Sequence, residues 1–343
     1  MLITDFEFDL PEELIAQTPL EKRETSRMLV VTRAEKAFSD AHFYDFPSFL
    51  KAGDVLVLNN TKVFPARLFG ENETGARVEI FLVKENENQS WETLARPARR
   101  LKIGKKIIFS PELSAEVLEK TVEGRVFVRF EAKGDFDRIL DEIGKTPLPP
   151  YIKRDSEETD KDRERYQTVF AKQRGAIAAP TAGLHFTPEI IEKIKNQGVT
   201  VAEITLHVGY GTFEPVRAED LSEHRVLPEN YEISEAAAET LNRAKTENRR
   251  IVAVGTTTTR TLESNFAKNK KFAAGKNLAD LTVTPGYEFQ AIDGLLTNFH
   301  LPQSSLLVLT STFGTHELIM KAYRHAVASG YRFYSYGDCM LII

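Results

Sequence analysis

The sequence predicts an α/β protein with a separate all-β block set into its first half. Three observations carry this. Over residues 63–134 apolar and polar residues alternate in short runs, with no long helical period until the end of the block. After the charged segment that ends at residue 166, strand-like runs alternate with capped helical segments, the pattern of a sheet covered by helices. Between the two lies "GKTPLPPYI", whose Pro147, Pro149 and Pro150 make a stiff, extended spacer.

Taken in order, residues 28–31 ("MLVV") and 54–59 ("DVLVLN") are continuous apolar runs that read as buried strands. In "RVEIFLV", Val78, Ile80 and Leu82 share one face. Val126, Val128 and Phe130 do the same in "RVFVRF", with "EG" ahead of them as a hairpin turn. "WETLARP", "KIGKKIIF" and "SAEVLEK" add short strands at a spacing that suits a small barrel or a sandwich. "DFDRILDEIG" is the one helical stretch of the block. After the spacer, "KRDSEETDKDRERY" mixes six acids with five bases and reads as a solvated loop running into a helix. "TPEIIEKIKNQG" carries its own punctuation: Thr187 as N-cap, Pro188 at the first helical position, Gly198 as the stop. "VTVAEITLHVG" is a strand, "SEAAAETLNRAKTE" a capped helix and "RIVAVG" a buried strand. "THELIMKAYRHAVASG" is a second capped helix, leading into a last strand that includes "SYGDCM".

Composition narrows the class. At 343 residues the chain exceeds one ordinary core and divides into two domains. An acidic start without an apolar h-region, and no apolar run near the roughly 18 residues that span a bilayer, predict a cytoplasmic protein with no membrane partner. The single Cys339 excludes a disulfide within the chain, and the seven histidines contain no HExxH pair, so no metal is expected. A net charge of −5 argues against a passive nucleic-acid coat but leaves room for a local patch. Residues 96–106, "RPARRLKIGKK", supply one: Arg96, Arg99, Arg100, Lys102, Lys105 and Lys106 with no acid among them. The plainer alternative is a solvated face.

In α/β folds ligands collect beyond the carboxyl ends of strands. "HVGYGTFEPV", "GTTTTRTLES" and "TNFHLPQSS" each follow a strand here. In the second, Thr256, Thr257 and Thr258 bring hydroxyls and N–H groups to a helix N-terminus, where anions are favoured, and Arg260 can grip a carboxylate. In "AAPTAGLHFTPE" the small residues around His185 would let a ligand approach the backbone; the alternative is a tight connector in which His185 is merely packed. His207 and His300 also lie in loop-like contexts, whereas His42, His224, His316 and His325 read as structural. No G-x-S-x-G elbow is present, and Cys339 in a buried strand is a poor nucleophile. The residues alone reach an α/β enzyme for a polar, nucleoside-like ligand.

These segments, with "FDLPEELIAQTPLEKRETSRMLVV", "GDVLVLNNTKVFPARLFG", "PLPPYI", "RYQTVFA" and "YRFYSYGDCMLI", resemble the S-adenosylmethionine:tRNA ribosyltransferase-isomerase family of the queuosine pathway over nearly the whole chain. The resemblance implies an α/β domain of residues 1–62 and 150–343, with a six-stranded antiparallel barrel inserted at residues 63–149. It implies transfer and isomerisation of the ribosyl group of S-adenosylmethionine onto 7-aminomethyl-7-deazaguanine at the tRNA wobble position. Epoxyqueuosine-tRNA, adenine and methionine are the products. S-adenosylmethionine is then a substrate, no cofactor is expected, and the chain is expected to work on tRNA as a monomer. Such chemistry asks for a base at the ribose C5′ carbon, made acidic by the sulfonium, and for a proton or hydrogen bonds on the departing adenine. Chemistry and spacing assign His185, His207 and His300 to the catalytic site and Arg260 to the methionine carboxylate. They assign Glu214 or Asp338 to its ammonium, Gly209 and Gly211 to close approach, and the basic strip to tRNA. Two alternatives are an RNA methyltransferase using S-adenosylmethionine and a non-catalytic RNA-binding module. The first wants a Gly-rich first strand–helix turn, which is not evident.

Overall fold

A strand that is apolar on both faces can be buried only in a sheet covered on both sides. The computed structural model, which describes residues 1–86, 90–122, 124–154, 160–209, 211, 216 and 218–343, has such a sheet at its centre. The chain first lays down β1 (Arg27–Thr32), β2 (Ala37–His42), β3 (Val55–Asn59) and β4 (Thr61–Val63). It then forms β5 (Arg67–Asn72), β6 (Arg77–Glu85), β7 (Ser90–Arg96), β8 (Lys106–Ser110), β9 (Leu113–Lys120), β10 (Arg125–Ala132) and α1 (Phe136–Ile143). It returns through α2 (Asp160–Arg165), β11 (Gln173–Ala176), α3 (Pro188–Asn196), β12 (Thr200–Leu206), β13 (Glu229–Ile233) and α4 (Glu235–Thr246). β14 (Ile251–Val254), α5 (Thr256–Asn269), β15 (Gly275–Ala279), β16 (Gly294–Asn298), α6 (Ser305–Gly314), α7 (His316–Ala328) and β17 (Cys339–Ile342) complete it.

The main sheet has nine strands in the order β15-β13-β12-β3-β14-β16-β17-β1-β2. Its centre, β12, β3, β14 and β16, is parallel, so four carboxyl ends meet on one edge. β17 runs antiparallel to β16, which brings the start of β17 to the same edge. Alternation of side chains along these strands builds two cores. Leu29, Val57 and Ala253 pack with α4 to α7 on one face, while Met28, Leu58 and Val254 pack with Phe43, Phe46, Ile190 and Ile194 on the other.

Strands β5 to β10 close into a barrel in the order β10-β7-β6-β5-β8-β9, which decides between the barrel and the sandwich. Val78, Ile80, Leu82, Val126, Val128 and Phe130 all point into its core, as their alternation predicts, and Ile139 and Leu140 of α1 plug it. The chain leaves and re-enters the main domain side by side: β4 pairs in parallel with β11, and Arg67 and Lys145 exchange both backbone hydrogen bonds. Buried Asn59 and Asn60 clamp this junction, Asn59 to both backbone groups of Leu206 and Asn60 to Thr205 and Glu203.

Local signals held where they were purely local. Thr187 accepts from the Ile190 N–H, Asp135 from Arg138 and Ser234 from Ala237, each a side-chain N-cap. Two details differ. α7 has no side-chain cap, because α6 and α7 abut and Thr315 serves both ends at φ +67°. The last strand begins only at Cys339, so "SYGD" is a bend ahead of it and not part of it. The "EG" turn includes Glu123, and the charged loop includes residues 155–159; these positions lie outside the described residues. Among the described residues, no helix is long and apolar enough to cross a membrane, and no group of three or more His, Cys, Asp or Glu could hold a metal ion.

Candidate functional site

A cavity of about 600 Å³, counting the space that is open to solvent, lies at the edge where the parallel strands end. Its floor is made by the residues that follow those strands: Val208 after β12, Gly255 to Thr257 after β14, and Thr297 to His300 at the end of β16. One wall is the small-residue run Ala178, Ala179, Pro180, Thr181 and Ala182. A second, aromatic part of the lining is made by Tyr151, Tyr166 and Tyr334 beside Ser335.

The floor follows from backbone geometry. Gly255 sits at φ +91°, ψ 152°, a conformation that only glycine adopts without strain, and lets β14 turn directly into α5. The first-turn N–H groups of Thr256, Thr257 and Thr258 have no intrahelical partner, so the positive end of α5 is presented at the cavity. The aromatic wall is strained. Tyr334, not a glycine, is held at φ +74° by its N–H bond to the Phe299 carbonyl and by the Gly337 N–H on its own carbonyl. Tyr151, from the Pro-rich spacer, packs edge-on against the Tyr334 ring at 3.9 Å and hydrogen-bonds Ser335. Burial pushes the Tyr334 hydroxyl up to about 12 and that of Tyr151 well above its ordinary value.

His300 lines the cavity. Its Nε2 pairs with the Thr297 hydroxyl at 2.9 Å, its backbone N–H donates to the Tyr323 hydroxyl at 3.0 Å, and its Nδ1 has no protein partner among the described residues. Burial pushes the imidazole down to about 3, so the ring is neutral at physiological pH.

His185 is buried immediately behind the cavity and does not line it. The Ser26 hydroxyl gives its proton to the Arg23 carbonyl at 2.9 Å, so it accepts from His185 Nδ1, also at 2.9 Å. Nε2 is then the bare nitrogen and accepts from Asn298 Nδ2 at 3.3 Å. Both ring nitrogens are occupied. Burial, then the Arg23 and Arg332 guanidiniums, hold this imidazole down at about 3. His185, expected at the catalytic site, touches Asn298 and packs on Phe43 at 5.3 Å. Its small neighbours serve two ends. Ala178, Ala179 and Ala182 make room in the cavity, but Gly183 makes room for Phe170 and Thr168, which a Cβ would meet at 2.7 and 2.8 Å.

Other expected site residues are distributed differently. Thr256 and Thr257 line the cavity, whereas the Thr258 hydroxyl is turned back onto the Val254 carbonyl. Arg260, expected as a carboxylate clamp, is 5% exposed and spends its donors internally: Glu229 at 2.5 Å, and the carbonyls of Leu227, Ala279 and Leu281. Glu229 also accepts the Gly209 N–H at 2.9 Å, so the pair is a strut holding the loop after β12. Gly211 packs against Leu227 and not against the cavity. Asp338, expected at an ammonium, instead accepts the backbone N–H groups of Arg27 and Arg332 at 2.9 and 2.8 Å, and burial raises its carboxyl. His207 lies outside the cavity lining, its Nδ1 on the Thr61 hydroxyl at 2.8 Å and its ring against Gly175. Glu214 lies outside the described residues. His224, His316 and His325 are tied to Ser305, the Asp5 carbonyl and Asp40, and His42 stacks on Tyr44, structural positions as read.

Sequence reasoning missed Asn298, Tyr151, Tyr334 and Ser335. It also missed Glu263, fully buried in α5, which accepts the N–H groups of Gln290, Ala291 and Ile292 and the Tyr287 hydroxyl, and so anchors the segment before β16.

The two buried imidazoles give a pH dependence with a definite sign. Each folded-state value, about 3, lies below the ordinary 6.5. The unfolded chain therefore binds more protons over that window. The stabilisation is full above pH 6.5 and is lost as pH falls toward 3. Denaturant unfolding at pH 7 and pH 5 should show a loss of up to about 1.4 kcal/mol per pH unit for each ring, discounted for local relaxation. The loss should shrink in His300→Gln; an equal loss in that variant would assign the acid sensitivity to other groups.

Comparison with known proteins places this cavity in context. Residues 3–342 match the family described as queuosine biosynthesis protein. The chain is 51% identical to an S-adenosylmethionine:tRNA ribosyltransferase-isomerase of Carboxydothermus hydrogenoformans and 48% identical to one of Desulfitobacterium hafniense, with 100% of each chain covered in both cases. A solved structure of S-adenosylmethionine tRNA ribosyltransferase from Thermotoga maritima is similar at a TM-score of 0.56 and 36% identity, covering 99% of this chain and 100% of that one.

Proposed function

The chain belongs to the queuosine biosynthesis protein family, and from that premise we propose that the cavity at the strand ends is where it handles S-adenosylmethionine. The chain is an S-adenosylmethionine:tRNA ribosyltransferase-isomerase. It moves the ribosyl group onto the 7-aminomethyl-7-deazaguanine wobble base, releasing adenine and methionine. One observation supports the cavity above all: His300 brings a neutral ring, with Nδ1 free of partners among the described residues, to a space that also holds the positive end of a helix. A neutral imidazole can take the proton from the C5′ carbon or hydrogen-bond the departing adenine. The aromatic wall suits the flat adenine and the sulfonium, which is attracted to ring faces. S-adenosylmethionine enters as a substrate and leaves as products, so the reading requires no resident cofactor.

Product analysis tests the reading. Incubation with S-adenosylmethionine and substrate tRNA should release adenine and methionine in equal amounts. S-adenosylhomocysteine would instead mark a methyltransferase, and no turnover a binding module.

tRNA docking falls to the barrel strip in this reading. Arg99 and Arg100 end a tight turn, Ala98–Arg100, which the Lys120 ammonium holds by its bonds to the Ala98 and Leu101 carbonyls. Arg96, Arg99, Arg100 and Lys102 are exposed, whereas Lys105 and Lys106 pair with Glu73 and Glu131 at 3.0 and 2.5 Å. The first four thus carry the charge available to phosphate. Changing Arg99, Arg100 and Lys102 together to Ala should flatten the slope of log K against log salt for tRNA by about two units, with S-adenosylmethionine binding unchanged. A wild-type salt slope in the triple variant would move the docking surface elsewhere.

A further inference from the structure

Asn298 presents a buried oxygen that no described residue uses. The residue is 2% exposed, lines the cavity, and its Oδ1 has no hydrogen-bond partner among the described residues. Which end of the amide is which is fixed by its surroundings. Nδ2 faces three acceptors: the Tyr334 carbonyl at 3.0 Å, the Asp338 carbonyl at 3.4 Å and His185 Nε2 at 3.3 Å. A flipped amide would set its oxygen against all three. The Oδ1 acceptor is therefore locked in place, with its donor still to come from outside the described residues.

A second pole stands beside it. β14 and β16 are neighbours in parallel register, Val254 opposite Leu296, and the Gly255 N–H donates to the Leu296 carbonyl. One step beyond lie the N-terminus of α5 on one strand and Thr297–Asn298 on the other. Adjacent strands are about 4.8 Å apart. The cavity thus sets the N–H groups of Thr256 and Thr257, which favour a negative charge, next to a lone acceptor, which favours a positive one. An α-amino-acid group carries those two charges one carbon apart.

We propose that this end of the cavity is an α-amino-acid subsite that takes the methionine portion of S-adenosylmethionine, its carboxylate on the start of α5 and its ammonium on Asn298 Oδ1, with His185 as the residue that positions Asn298. This rests on the cavity being the S-adenosylmethionine site, and deepens it by giving the bound molecule a direction: methionine toward α5, adenosine toward the aromatic wall. The roles expected of Arg260 and Asp338 pass to backbone N–H groups and a neutral amide. His185 acts through Asn298 and not on the ligand.

The experiment compares two ligands by calorimetry, S-adenosylmethionine and 5′-methylthioadenosine, which keeps the adenosine half and lacks the α-amino-acid group. Asn298→Ala should weaken S-adenosylmethionine by about 10- to 100-fold and leave 5′-methylthioadenosine unchanged. Thr256→Pro is the independent variant for the other pole. Proline is tolerated at the first helical position, and Gly255 already has the ψ of 152° that a following proline requires, so one N–H is removed without breaking the helix. It should show the same selective loss. His185→Ala should copy Asn298→Ala, and His185→Gln, whose amide oxygen can accept from Asn298 Nδ2, should recover affinity; a merely packed ring would not be rescued. Equal losses for both ligands in Asn298→Ala and Thr256→Pro would turn the bound molecule around and overturn the proposal. If wild type binds both ligands but neither variant changes either affinity, the subsite is wrong while the cavity stands. If the wild-type cavity binds neither ligand, the reading beneath the proposal fails with it.

Discussion

His300→Ala should lower adenine release by about 100- to 10,000-fold while S-adenosylmethionine affinity changes by only a few fold. The ring is the one imidazole found lining the cavity, and the Nδ1 left free by Thr297 can exchange a proton with a bound nucleoside. The fold should tolerate the change. The Tyr323 hydroxyl is held by the backbone N–H of residue 300, not by its side chain, and the lost ring opens into space that is already a cavity. Single-turnover measurement separates the outcomes. Slow chemistry with normal binding assigns proton transfer to His300. Normal chemistry would send the search to a group outside the lining, with His207 the remaining histidine that burial keeps neutral near the junction of sheet and barrel.

Arg260→Ala should destabilise the protein by about 3–5 kcal/mol, because it removes one partner of a buried, hydrogen-bonded ion pair with Glu229. Both side chains of this pair are 6% exposed, and Arg260 also caps three carbonyls from two separate segments. Lysine should not rescue it, since a single ammonium cannot reproduce the guanidinium fork. Denaturant unfolding gives the loss directly. A variant that keeps wild-type stability but loses S-adenosylmethionine would return Arg260 to the ligand, as sequence reasoning had it.

The same residue shows where a sequence stops being readable. An arginine four residues into a Thr-rich helix looks identical whether its partner is a substrate carboxylate or Glu229, 31 positions away. Only the packing of α5 against β13 and β15 distinguishes them. His185 is the parallel case. Its partners, Ser26 and Asn298, are separated from it by 159 and 113 residues, so the occupied nitrogens leave no local trace. Asn298 itself carries no signal at all in "TNFH", since its meaning comes from three acceptors on distant segments. By contrast, the Thr187 cap, the buried runs of β1 and β3, and the alternation in β6 and β10 depend on neighbours within a turn or on period alone. These were legible, and with them the edge of the sheet where the cavity opens.

The barrel strip stands between these extremes. Its six cations are plain in the sequence, but that Lys105 and Lys106 are drawn to Glu73 and Glu131 follows only from the strand pairing that brings β8 beside β5 and β9, and β10 beside β9. Four of the exposed cations pair with no carboxylate among the described residues, enough for the salt-dependent contact proposed for this patch.

The central claim is that S-adenosylmethionine lies at the carboxyl ends of β12, β14 and β16. A crystal structure of the protein with S-adenosylmethionine or a stable analogue tests it most directly. The account expects the ligand carboxylate within hydrogen-bonding distance of the Thr256 and Thr257 N–H groups, its ammonium on Asn298, and its ribose beside His300. Ligand ordered outside this cavity, for instance against His207 and Thr61 at the junction with the barrel, would contradict it.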